Sequence, residues 1–196
     1  YTGKTYAGTT MQEVHVYIGK YNANGIWAMS WSAGGGGKVN SALSALAEAY
    51  KLTNDEKYGI AGAIIIDRVA DVYHEMNLKW PHMLNSDGGS GQGQAIGRIG
   101  DYGLAVLLAQ HYDAFWPEMD NPKVIQYLSE KAAKYNMDNP KTSAELIRYN
   151  CDNGILRAIY DGIQNKRIWG NVGYPQMSMY AAAICLDNVQ TKVDAQ

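Results

Sequence analysis

One turn of the sequence combines residue types that bind carboxylates. Asn171 lies between glycines, follows Trp169, and precedes Tyr174 and Gln176 at the start of an apolar helical pattern. An amide at the beginning of a helix can bind a carboxylate together with the N-terminal N–H groups of that helix. A simpler interpretation also fits: Asn tolerates positive φ in turns, Gln176 caps the first turn, and the two aromatics are ordinary half-buried residues.

A second group of polar residues follows the glycine-rich stretch that ends at Gly93. Gln94, Arg98 and Asp101 recur at four- and three-residue spacing, which places them on one face of a predicted helix, with Tyr102 next to them. Arg98 would hold an anionic group that Asp101 helps to orient. The alternative is an exposed Arg98–Asp101 pair worth less than ~1 kcal/mol.

Other motifs of common enzymes fail at defined positions. The stretch 34–38 is not a phosphate-binding loop, because Ser32 replaces the first glycine and Val39 replaces the serine or threonine. His74 and Glu75 begin a zinc-protease pattern, but Leu78 occupies the place of the second histidine. No two histidines stand four residues apart, so no helical metal site is predicted.

The two cysteines, Cys151 and Cys185, form no paired motif that would bind zinc. Two buried thiols are the simpler interpretation, since Cys185 lies in an apolar run. A disulfide between neighbouring helices is the alternative in an oxidising compartment.

The composition of the 196 residues limits the possible classes. An apolar fraction of 46% and a charged fraction of 18% exclude a disordered chain. A net charge of −2 argues against nucleic-acid binding, and no apolar run is long enough to span a membrane. The chain has fifteen Tyr and five Trp but one Phe, which indicates aromatic side chains whose polar end contacts water, as in sugar-binding clefts or on helix surfaces. The first ten residues are not a signal peptide, and a start at Tyr1 indicates processing or excision.

Apolar spacing predicts an all-α protein built as an array of antiparallel helical hairpins after an irregular segment over residues 1–37. A long polar loop is expected over 78–93. Helices are predicted at about 38–53, 55–76, 94–115, 123–135, 143–164 and 175–187.

The chain resembles the heparinase II/III-like polysaccharide lyases over residues 46–58, 97–115 and 170–188. The most specific part is the Gly-Asn turn followed by Gln176 and an alanine-rich helix that ends in Leu-Asp. The resemblance implies that residues 38–196 are the front part of an (α/α) toroid catalytic domain, incomplete in this chain.

The resemblance also implies β-elimination from an acidic, uronate-containing polysaccharide in an extracellular or periplasmic setting, without a cofactor. Asn171 matches the asparagine that binds the uronate carboxylate and stabilises the enolate-like intermediate, a contribution of ~3–4 kcal/mol for such donors. A tyrosine serves such lyases as general base and acid. The residues expected to contact substrate are Gln94, Arg98, Tyr102, Trp169, Tyr174 and Gln176.

Two departures from the family pattern matter. Val172 stands where many members have histidine. The resemblance also implies a catalytic tyrosine well downstream of the asparagine, which is expected beyond residue 196. The segment by itself is therefore expected to be inactive. Two alternatives stay open: an (α/α)-toroid glycoside hydrolase using two of Asp87, Asp101 and Asp161, and a non-catalytic glycan-binding module, which the change at Val172 favours.

Overall fold

The computed structural model describes residues 38–79, 92–95 and 100–186. The expectations for segment 1–37, for Asp87 and for Arg98 lie outside these residues. Within them the chain is mostly helical, as predicted, with one small strand pair. The elements are α1 Lys38–Thr53, α2 Glu56–Tyr73, β1 Leu78–Lys79, β2 Gln92–Gly93, α3 Asp101–Phe115, a 3₁₀ helix Trp116–Asp120, α4 Pro122–Lys134, α5 Ala144–Cys151, a π-helix Asp152–Arg157, α6 Ala158–Gln164 and α7 Tyr174–Cys185.

The first two helices form a tight hairpin: α1 has the predicted bounds, and α2 begins as predicted but ends at Tyr73, three residues before the expected end. Asn54 adopts a left-handed conformation with φ of 53°, which ends α1. The side chain of Asp55 then caps α2 by accepting a hydrogen bond from the Lys57 N–H at 3.1 Å. A two-residue connection therefore forces α1 and α2 to pack side by side.

The predicted start of the third helix at Gln94 is wrong. Gln94 and Ala95 form a bend after β2, which pairs with β1 in antiparallel register, and α3 begins only at Asp101. The Asp101 carboxylate accepts the backbone N–H groups of Gln94 at 2.6 Å and of Ala95 at 2.9 Å. A side chain that binds backbone donors in this way stabilises a non-helical conformation.

The predicted fifth helix is confirmed as one helical rod with a π segment in its middle. Gly154 in this segment lies so close to α2 that a Cβ atom added there would be 2.1 Å from the Ala70 carbonyl oxygen. The missing side chain lets the rod approach α2. Widened π turns often occur where a helix must adapt to a neighbour or to a site.

A buried ion network ties α2 to the segment before α5. The Lys141 ammonium is fully buried and lies 2.6 Å from Asp67 Oδ2, and it also binds Asp71. Lys131 on α4 lies 3.4 Å from Asp71 Oδ2, and the Asn150 amide donates to both carboxylates at 2.9 Å. Burial raises the pKa of Asp67, so this carboxylate depends on its partners to remain charged.

The hydrophobic core lies among α1, α2, α3 and the α5–α6 rod, and α7 covers α3 and α6 from the outside. Its large, fully buried side chains include Leu43, Ile66, Tyr73, Leu104, Leu108, Tyr112, Phe115, Met119 and Leu128. The helical array thus presents the start of α3 and the start of α7 side by side.

Candidate functional site

The two sequence regions singled out for chemistry meet at one place on the surface. Tyr102 on α3 and Tyr174 on α7 stack with ring centroids 4.2 Å apart and planes inclined by 12°. The Ser178 hydroxyl donates to the Tyr102 carbonyl at 3.0 Å, which fixes α7 against α3. Tyr102 is half-buried and Tyr174 is 40% exposed, so the pair forms a supported aromatic surface, here named the tyrosine platform.

The glycine-flanked turn runs directly beside this platform. A Cβ atom on Gly170 would lie 3.5 Å from the Tyr102 ring, an ordinary van der Waals distance, so the turn packs against this ring. Asn171 is exposed, and its amide makes no hydrogen bond to any other described residue. Its backbone carbonyl accepts from the Tyr174 N–H at 3.2 Å. Within the described part of the chain nothing engages this amide, and the backbone of Asn171 adjoins the tyrosine platform.

The residues around Asn171 have different roles in the structure. Gln176 Oε1 accepts the Gly173 N–H at 3.0 Å, which is the capping geometry expected in the simpler interpretation. Gly173 has a φ of 99°, a value that favours glycine. Trp169 is half-buried, whereas Val172 is fully exposed to solvent. An apolar side chain so exposed adds no charge to the site.

Gln94 and Asp101 lie beneath the surface rather than on it. Gln94 is fully buried, and its amide donates to the Tyr73 carbonyl at 2.6 Å. Asp101 is fully buried as well, so the expected exposed pair with Arg98 is wrong on the Asp101 side. We name the two hydrogen bonds from the Gln94 and Ala95 N–H groups to the Asp101 carboxylate the Asp101 clamp. Because Asp101 directly precedes Tyr102, this clamp positions the base of the tyrosine platform.

The Tyr73 hydroxyl was not predicted to take part in this polar interior. It is fully buried, has no hydrogen-bond partner among the described residues, and burial together with the charge of Asp101 raises its pKa well above the usual value. Tyr73 stands on the buried side of α2, where the helical spacing of apolar residues would place any aromatic side chain. That position gave no sequence signal for a polar role.

A groove between α1 and α3 holds a second feature that the sequence did not reveal. It has a volume of about 410 Å³ and is lined by Ser44 and His111, whose hydroxyl oxygen and Nε2 lie 3.1 Å apart. His111 is 4% exposed, and burial followed by the nearby Lys51 charge lowers its pKa to about 4. Its Nδ1 has no partner among the described residues, so no carboxylate there orients the ring as a catalytic triad requires.

Metal and disulfide chemistry find no support in the described part of the chain. No group of three or more His, Cys, Asp or Glu residues is arranged there to hold a metal ion. Cys151 is buried and Cys185 half-buried, and both are free thiols, so the alternative of a disulfide between them is wrong. None of the helices in the described ranges is both long and apolar enough to cross a bilayer.

Comparison with known proteins leaves the fold and the site as the basis for a functional assignment. No family model matches the sequence, and neither a curated protein nor a solved structure matches the chain. The class that fold and site define is an all-α protein with an exposed tyrosine platform beside an asparagine turn.

Proposed function

We propose that this chain forms the uronate-binding part of a polysaccharide lyase that cleaves an acidic polysaccharide by β-elimination. One observation carries the proposal: Asn171, an exposed residue of the turn, accepts through its backbone carbonyl the N–H of Tyr174, which stacks on Tyr102. In this proposal the helices belong to an (α/α) toroid, the protein acts outside the cytoplasm, and its ligand is a uronate polymer.

The chemistry of β-elimination explains the value of such an arrangement. Removal of the C5 proton of a uronic acid places further negative charge on a group that already bears a carboxylate. A neutral amide that donates to this carboxylate stabilises the charge as it develops, and a fixed donor of this kind contributes ~3–4 kcal/mol. Asn171 supplies the donor, and the tyrosine platform supplies a flat apolar surface against which a sugar ring can pack.

The geometry removes one of the three carboxylates that a glycoside hydrolase was expected to use. A hydrolase requires two carboxyl groups facing the scissile bond. Of its candidates, Asp101 is fully buried and both of its oxygens accept backbone N–H groups. It is therefore committed to holding the bend before α3 instead of reaching a substrate.

A non-catalytic glycan-binding module is the second candidate function. It is favoured by Val172, whose fully exposed apolar side chain provides no partner for Asn171 in neutralising a carboxylate. In that case the platform and the amide would bind a uronate chain without cleaving it.

Binding is the primary test, because the resemblance places the general base outside residues 1–196. Titration of uronate oligosaccharides into the chain by calorimetry should show binding that Asn171→Ala weakens by about 10- to 100-fold, the loss expected for one hydrogen bond to a charged group. Tyr174→Ala should weaken it by about 5- to 10-fold through loss of stacking.

Matched controls separate these effects from general damage. Asn165→Ala removes another exposed amide, and Tyr160→Ala removes another half-exposed tyrosine; neither belongs to the turn 170–173 or to the stacked pair. Both controls should bind like the wild type. Absence of uronate binding by the wild type, or equal losses in the controls, would refute the proposal.

Cleavage assays distinguish the alternatives. Incubation with uronate polymers that yields unsaturated products, detected by their ultraviolet absorbance, identifies a lyase. New reducing ends without that absorbance identify a hydrolase. Binding without either product, when the assay is repeated on any longer natural form of this chain, identifies a binding module.

A further inference from the structure

The groove between α1 and α3 combines an apolar surface with a small set of polar groups. We name it the α1–α3 groove; its apolar lining residues are Ala47, Leu52 and Leu107. Leu52 is 78% exposed, although its side chain is large and apolar. At about 30 Å³ for each water molecule, the volume of about 410 Å³ would hold about a dozen waters, or a ligand with about as many non-hydrogen atoms. Concave, mostly apolar sites of this size are typical of small-molecule binding.

Two polar side chains of the groove contact each other. Ser44 is exposed on α1, and its Oγ lies 3.1 Å from Nε2 of the buried His111 on α3. Among the described residues, His111 Nδ1 has no hydrogen-bond partner. A neutral imidazole carries a single N–H group. When Nε2 carries it, this nitrogen donates to Ser44 Oγ and leaves the Ser44 proton available to an acceptor in the groove.

The charge that acts on this pair is positive. Burial, and after it the charge of Lys51, lower the pKa of His111 to about 4, so the ring is neutral at neutral pH and the ammonium group is close enough to affect it. Lys51 lines the same groove and makes no ion pair with any described residue. Glu48 lines the groove as well, but its charge does not shift the pKa of His111. A negatively charged ligand group is therefore favoured beside Ser44.

We propose that the α1–α3 groove binds a small amphipathic carboxylate, with the carboxylate group between Ser44 and Lys51 and the apolar chain against Leu52 and Leu107. The Ser44 hydroxyl donates to a carboxylate oxygen, and Lys51 supplies the opposite charge. The chain removes the exposed Leu52 surface from water, which favours binding. His111 is a positioning residue, because its Nε2–H fixes the orientation of the Ser44 hydroxyl.

The α1–α3 groove and the tyrosine platform are separate sites. On α3, His111 lies about 13 Å along the helix axis from Tyr102, at about 1.5 Å per residue. A uronate sugar carries hydroxyl groups on most of its ring carbons and lacks the alkyl chain that would cover Leu52. The inference therefore does not rest on the proposed function, and either can fail without the other.

Octanoate, with about ten non-hydrogen atoms, is the probe that tests the proposal. NMR titration of the whole chain should shift the imidazole resonances of His111, assigned with His111→Gln, with a dissociation constant of about 0.1–1 mM. The resonances of His74, which does not line the groove, should stay unchanged. Octanol and octylamine carry the same chain without the negative charge, so they should bind at least about threefold more weakly.

Substitutions at the two polar contacts have matched controls. Ser44→Ala should weaken octanoate binding about tenfold through loss of a hydrogen bond to a charged group, whereas Ser41→Ala, also at an exposed position of α1, should leave it unchanged. Lys51→Gln should weaken it about threefold. Lys134→Gln, which removes an exposed lysine from the last turn of α4, should bind octanoate like the wild type. Because all four side chains are exposed, circular dichroism should show every variant to be folded.

The outcomes distinguish this site from the proposed uronate site. Ser44→Ala should retain uronate binding, and Asn171→Ala should retain octanoate binding. Unchanged His111 resonances at about 5 mM octanoate would overturn the proposal. Octylamine that binds as tightly as octanoate would assign the groove to amines at Glu48, and octanol that does so would show a purely apolar site. Equal losses in Ser44→Ala and Ser41→Ala would place octanoate elsewhere on the protein.

Discussion

Protonation of His111 is expected to destabilise the protein in mildly acidic solution. The ring is 4% exposed between α1 and α3, where Ser44 is its hydrogen-bond partner and Lys51 adds a positive charge nearby. Burial therefore favours the neutral ring, and its pKa falls from 6.5 to about 4.

The direction of the effect follows from linkage between protonation and folding. As the pH falls below 6.5, the unfolded chain binds a proton at His111 while the folded chain does not, and the equilibrium shifts toward unfolding. The loss continues until the pH reaches about 4, where the folded form also becomes protonated. At about 1.4 kcal/mol per pH unit, this histidine removes roughly 3 kcal/mol across that interval.

Urea unfolding at several pH values between 7 and 4 measures this loss. His111→Gln cannot be protonated and retains an amide able to bind Ser44. Between pH 7 and 4 its free energy of unfolding should therefore fall by about 3 kcal/mol less than that of the wild type. His74→Gln changes an exposed histidine at the end of α2 and keeps His111, so it should retain the wild-type dependence. Parallel curves for wild type and His111→Gln would falsify the assignment of the loss to this ring.

Three further substitutions and one matched glycine control test the packing of the array, each by urea or thermal unfolding. Lys141→Met leaves the buried Asp67 without its main partner and should cost about 3–5 kcal/mol, and retention of wild-type stability would contradict the buried network. Gly154→Ala should destabilise by more than about 2 kcal/mol because its Cβ would collide with the backbone of α2, whereas Gly103→Ala, with open space around it, should stabilise by up to about 1 kcal/mol. Equal effects at the two glycines would show that the close approach is absent. Asp101→Asn keeps only one oxygen that can accept, so it loses one of the two hydrogen bonds from the buried N–H groups of Gln94 and Ala95 and should cost about 1–3 kcal/mol of stability. The same substitution should also weaken uronate binding. An unchanged stability would argue against the Asp101 clamp.

The sequence predicted the helices well wherever local signals define them. The Asp55 cap fixes the start of α2, and the spacing of apolar residues predicts α1, α4 and the α5–α6 rod. The expected turn over 170–173 also precedes α7. These features depend on residues within a few positions of one another, so their physical cause is present in the local sequence.

The start of α3 was missed because a single carboxylate determines it, and the spacing of apolar residues does not. Apolar spacing favoured a helix from Gln94, but the Asp101 side chain holds the two backbone N–H groups of the bend instead. The sequence pattern shows which face of a helix is apolar. It does not show when a single carboxylate competes with helix formation.

Pairs that are distant in the sequence were decided by the tertiary structure alone. Ser44 and His111 are 67 positions apart, and Lys141 and Asp67 are 74 apart. Each of these residues has an ordinary place in its own segment, and its chemistry arises only from the partner that helix packing brings to it. The same holds at the candidate site, where the sequence named Tyr102 and Tyr174 separately and the packing of α7 on α3 made them one surface.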